Sequence, residues 1–125
     1  MKSSDLNLFF IGNISISDFK KYIDNDVCFY SQSMNKLGST IPLNIIENEF
    51  IFINKSKIKV LLSETIQGNL SNIHLAYICD CITLLEQIDY DDEQSQQIIF
   101  DLADPEIKGG YKSIEELNGI ILELN

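Results

Sequence analysis

The spacing of apolar residues changes near residue 67, and the expected elements change with it. Before that point the apolar residues come in short continuous runs. Leu6, Leu8, Phe9, Phe10 and Ile11 make the first, and Gly12-Asn13 ends it, so residues 6–11 read as a strand. Ser17 offers an N-cap with Asp18 in the first turn. A short helix is expected there, with Phe19, Tyr22 and Ile23 on one side and its end at Asn25-Asp26. Val27-Cys28-Phe29-Tyr30 is strand-like in its aromatic and β-branched content. A polar connection containing Gly38 and Pro42 follows. Residues 50–53 and 58–62 are apolar runs separated by Asn54-Lys55-Ser56-Lys57, which reads as a hairpin.

Beyond Gln67-Gly68-Asn69 the period is close to 3.6. Ser71 can cap a helix over residues 72–88. Leu75, Ile78, Ile82 and Leu85 form one stripe, with Tyr77, Cys81, Leu84 and Ile88 beside it. An apolar arc that wide predicts a helix buried on more than one side. Asp91 or Asp92 opens the next helix, with Ile98, Ile99 and Leu102 inward and its end near Asp104-Pro105. Gly109-Gly110 marks a turn. Ser113 and Glu116 form a capping box that opens a last helix, with Ile114, Leu117, Ile121 and Leu124 inward. The expected fold class is α+β: a small antiparallel or mixed sheet in the N-terminal half, packed against a helical C-terminal half.

At 125 residues and 45% hydrophobic content the chain is expected to be one domain with a real core. No run of about 18 apolar residues occurs, so no membrane span is expected. The apolar stretch after Met1-Lys2-Ser3-Ser4-Asp5 is too short and too interrupted for a signal peptide, which points to the cytoplasm. Cys28, Cys79 and Cys81 are odd in number and sit among apolar residues. They read as buried free thiols rather than a disulfide framework.

Charge adds what hydropathy does not show. Residues 1–60 hold seven Lys against six acidic residues, a net of +1, whereas residues 61–125 hold two Lys against thirteen acidic residues, a net of −11. Repulsion among like charges opposes folding, but such a field steers a basic partner onto one surface. The chain has no Arg, the residue best shaped to grip phosphate. This argues against nucleic acid as the direct partner.

Catalytic chemistry finds little to stand on. His74 is the single His and lies near a helix start. It cannot build a multi-His metal site, and a structural role fits it better. Cys79 and Cys81 are two apart on a helix, about 200° around the axis, and cannot share an ion. Asp80, between them on an apolar helix, reads as hydrogen-bonded or reaching solvent. No phosphate-binding loop, nucleophile elbow or zinc-helix motif occurs. The acids of Asp89-Tyr90-Asp91-Asp92-Glu93 lack the glycine and distal Glu of a calcium loop. Neither enzymatic activity nor a metal or cofactor is expected.

The acids themselves are the candidate site. Glu86, Asp89, Asp91, Asp92 and Glu93 surround Tyr90 at a helix-to-helix corner. Asp101, Asp104 and Glu106 follow, with Tyr111 beyond them. Aromatic contact area inside a charged rim is the composition of a protein interface. Substitutions at the hairpin lysines Lys55, Lys57 and Lys59 are expected to matter much less. An acidic adaptor without inhibitory activity would present the same composition.

Residues 99–110 run Ile99-Phe100-Asp101-Leu102-Ala103-Asp104-Pro105-Glu106-Ile107-Lys108-Gly109-Gly110. Their L-A-D-P-E-I-x-G core resembles the L-A-[ND]-P-E-I-N-G stretch of immunity proteins from bacterial contact-dependent growth-inhibition systems. The resemblance implies a small acidic protein that binds and neutralises a cognate toxin domain, commonly a nuclease, delivered by a neighbouring cell. It implies no catalytic residue and no cofactor.

Overall fold

A computed structural model describes residues 1–34, 43–103 and 110–124. Among the described residues the chain is mostly helical, with one small sheet, and forms two compact units, Met1–Phe50 and Ile51–Asn125.

In the first unit, α1 spans Ser3–Phe10 and α2 spans Ile16–Met34. The expected strand at 6–11 is therefore a helix. A short, nearly continuous apolar run fits either element, and here Leu6 and Phe9, one turn apart, are the buried pair. The expected strand at 27–30 is helix as well. Phe19, Ile23, Val27 and Tyr30 are buried and recur at helical spacing, so one stripe carries α2 straight through Asn25-Asp26. Tyr22 points to solvent. The cap is Ser15, not Ser17: its Oγ accepts the Asp18 N–H at 3.0 Å. The Phe9 and Phe19 rings stack with centroids 4.6 Å apart, joining the two helices.

A strap over residues 43–50 lies along α1. Ile46 C=O accepts the Ser3 N–H, and Ile46 N–H donates to Met1 C=O. Ser3 Oγ accepts from Asn48 N–H and Glu49 N–H, and Asn7 donates to Glu49 and to Phe50 C=O. The Met1 ammonium bonds Asp26 at 3.1 Å. Met1, Lys2, Asp5, Tyr22, Asp26, Asn44 and Ile46 line an open cavity of about 300 Å³ here.

The second unit starts with β1 (Ile51–Ile53), followed by α3 (Lys55–Ile66), α4 (Asn72–Thr83), β2 (Ile88–Tyr90), α5 (Glu93–Leu102) and α6 (Ile114–Glu123). The expected hairpin is absent. Asn54 is an N-cap whose side chain accepts the Lys57 N–H, and Ile58, Leu61, Leu62 and Thr65 form the buried stripe of a helix. β1 pairs instead with β2, in parallel, Ile51 opposite Ile88, Phe52 opposite Asp89 and Ile53 opposite Tyr90. The sheet is thus neither antiparallel nor confined to the N-terminal half. Parallel pairing needs a crossover, which α3 and α4 provide.

α4 is the most buried helix of this unit, with every residue from Leu75 to Ile82 enclosed. Ser71 caps it, and His74 returns the bond in a capping box, its Nδ1 accepting the Ser71 N–H at 3.4 Å. The lone His is therefore part of a helix start. The helix ends at Thr83 rather than 88, and Leu84, expected inward, is 58% exposed. Ile88 passes to the strand. α5 packs on α4 and buries Ile98, Ile99 and Leu102 as expected. α6 packs on α3, with Leu117 and Leu124 buried, while Ile114 is exposed. Its capping box is Ser113 with Glu116. The expected stop at Asp104-Pro105 and the turn at Gly109 lie outside the described residues.

All three cysteines are free thiols. Cys79 and Cys81 are buried as expected, but Cys28 is exposed, because α2 turns it away from the Phe19–Tyr30 stripe. Burial, then the neighbouring Asp80 carboxylate, pushes the Cys79 thiol well above its ordinary range, which makes it inert. Alkylation without reductant should modify three cysteines in denatured protein and Cys28 alone, rapidly, in native protein. Mass spectrometry reads both. A two-dalton deficit, or rapid native labelling of Cys79, would contradict the assignment.

Candidate protein-docking surface

The alternation of β1 decides what the corner presents. Ile51 and Ile53 are buried, and their register partners Ile88 and Tyr90 share that inner face. Phe52 and Asp89 share the outer face. Phe52 is 40% exposed. Tyr90, the expected anchor, is half-buried: burial, and then the nearby Cys79 of α4, pushes its phenol up to about 12. The exposed aromatic of the corner is therefore Phe52. The Ile-Phe-Ile alternation hinted at it, but only the register with β2 places it beside Asp89.

The acids gather around this sheet end, and they are not alone. Lys55, in the first turn of α3, bonds the Asp91 carboxylate at 3.3 Å and also bonds Asp92. These residues are 36 and 37 positions apart in sequence. The Asp92 hydrogen bond raises the Lys55 pKa, and partial desolvation opposes it. Lys55, then the Ser95 N–H, holds the Asp92 carboxyl below the usual range. For Asp91 desolvation acts upward, and the Ser95 hydroxyl with Lys55 outweighs it. Lys57 lies over Phe52, its Nζ 5.8 Å from the ring centroid and bonded to the Phe52 C=O.

Some of this charge has a structural task. Asp92 caps α5 by accepting the Ser95 N–H at 3.0 Å. Asp89 accepts the Tyr90 N–H at 2.9 Å, on the strand's own backbone. Glu86 and Glu93 are exposed, and Glu93 lies in the first turn of α5. The unit boundary also shifts the balance. Residues 51–125 include Lys55, Lys57 and Lys59 and carry −8, against −2 for residues 1–50. The imbalance is milder than the sequence halves suggest.

The remaining expected site residues do not join the corner. Asp101 is nine positions beyond Asp92, which along α5 means about 14 Å of rise and half a turn to the other side. It is half-buried and accepts from Gln97 at 2.8 Å. It lines a small pocket of about 10 Å³ with Tyr111, Lys112, Asn72, Leu75 and Leu102. Tyr111 is exposed. Asp101 and Tyr111 thus form a second patch. Asp104 and Glu106 lie outside the described residues, as does most of the L-A-D-P-E-I-x-G stretch. Among the described residues no three His, Cys, Asp or Glu side chains converge as a metal site would require, and no helix is long and apolar enough to cross a membrane.

No protein-family model, curated protein or solved structure matches the chain.

Proposed function

We propose that this protein is an immunity-type inhibitor, which binds and neutralises a basic toxin domain by covering its active site or the approach to it. A nuclease is the toxin class that fits best, since enzymes that grip phosphate are basic. The observation that carries the reading is the β2–α5 corner, where Asp89, Asp91, Asp92 and Glu93 stand exposed around an outward aromatic, Phe52. Such a rim steers a cationic surface into place, and the ring adds desolvated contact area. The resemblance of residues 99–110 to immunity proteins supports the same function independently of the corner.

Co-expression of the full chain with the toxin domain encoded beside it tests the proposal. Cells carrying both should grow, and cells carrying the toxin alone should die. Binding without rescue would make the protein an acidic adaptor instead.

A further inference from the structure

The two lysines on the candidate docking face show what chemistry that face receives. Lys55 and Lys57 both lie in the first turn of α3, where the helix dipole disfavours cations. The dipole therefore does not account for their positions. One ammonium is held by the Asp91 and Asp92 carboxylates, the other by the ring and carbonyl of Phe52. Burial also lowers the Lys57 pKa, so its seat is gained at a desolvation cost. Beneath the carboxylates is Ser95 Oγ, fully buried and outside hydrogen-bond geometry with any group described, yet close enough to help hold Asp91 down. Asp89, opposite Phe52 on the outer face, adds another acceptor.

We propose, resting on the reading of a basic partner, that this face takes two cationic side chains of that partner. One sits on the Asp91–Asp92 carboxylates and one on the Phe52 ring, and Lys55 and Lys57 fill those positions in the free protein. Arginine fits better than lysine. Its planar fork presents five donors against three, enough to span two carboxylates, and it stacks more readily on an aromatic face. The chain's own lysines then act as placeholders that a stronger cation displaces. A loosely basic protein lacking a matched pair gains little by displacing them, so the lysines sharpen partner choice.

The size of one substitution's effect separates this role from a structural one. Removing a placeholder strengthens binding beyond what the loss of one positive charge does at a lysine off this face, such as Lys112→Gln, whereas removing a structural contact weakens binding or changes it only by that charge. Two-dimensional ¹H–¹⁵N spectra of the full chain, titrated with acetylated tetra-arginine amide at low salt, provide the measurement. Saturable shifts are expected at the amides of Phe52, Asp89, Asp91 and Asp92. Lys55→Gln and Lys57→Gln should each bind about three- to fivefold tighter, and Phe52→Leu should bind weaker by a similar factor, the scale of exposed ion pairs and cation–π contacts. Retained spectral dispersion verifies the fold of each variant, and Lys57→Gln leaves the Asp92 cap untouched. Non-saturating shifts spread over Glu115, Glu116 and Glu123, or binding by both lysine variants no tighter than that of Lys112→Gln, would overturn the proposal. The peptide stands in for the partner, so a failed co-expression test removes the inhibitor reading without touching this result.

Discussion

Ile78→Ala and Ile82→Ala should each cost on the order of 2–5 kcal/mol in chemical denaturation, the range for large-to-small changes at fully buried sites. Both side chains are wholly enclosed, and α4 buries every residue from Leu75 to Ile82. Packing on both sides of a helix leaves no face free to relax into the cavity. Since a whole domain is stable by only about 5–15 kcal/mol, either change removes a large share. Leu84→Ala supplies the contrast. Its side chain is 58% exposed just past the end of the helix, so the loss should be below about 0.5 kcal/mol. A similar small loss at Ile78 and Ile82 would show that α4 is peripheral.

The second large effect concerns association with the proposed toxin partner. If the corner's field steers encounter, the on-rate should fall steeply as the Debye length shrinks from roughly 30 to 8 Å. The choice of charge reversals follows from the geometry. Asp91 and Asp92 are poor targets, because both hold Lys55 and Asp92 caps α5. Lysines there would crowd ammonium groups and loosen the helix start, so lost binding would not report docking. Asp89→Lys together with Glu93→Lys avoids both contacts and should slow association about tenfold, within the range of electrostatic steering. Glu115→Lys with Glu123→Lys, on α6, should change the rate far less. Surface plasmon resonance at two salt concentrations decides. Salt-independent association, or a larger effect from the α6 pair, would move the docking face away from the corner. Lys55 belongs to the corner itself, so the lysines of the expected hairpin cannot serve as a distant control.

The three C-terminal helix starts were legible in the sequence because each is a local event. Ser71, Asp92 and Ser113 reach backbone N–H groups three residues on, and apolar spacing fixes the inward faces of α4 and α5. Where local signals conflict, the sequence could not choose. A nearly continuous run such as residues 6–11 or 58–62 satisfies period 2 and period 3.6 alike. Packing settles it, through the Phe9–Phe19 stack in one case and the Ile58-Leu61-Leu62 stripe in the other. Ile88 continues the α4 stripe on paper, yet its backbone is claimed by Ile51 across 37 residues.

The candidate site divides the same way. Composition and charge alone pointed to an acidic surface around residues 86–93. Which aromatic faces out, which lysine sits on the acids, and which acids lie together are pairings between residues far apart in sequence. Phe52 is exposed because register with β2 turns Tyr90 inward, and Asp101 is separated from the corner by the length and half-turn of α5. Local chemistry determined where α4, α5 and α6 begin and what the surface is made of. Only tertiary contact, which fixes strand register and helix orientation together, decided how those groups are arranged in space.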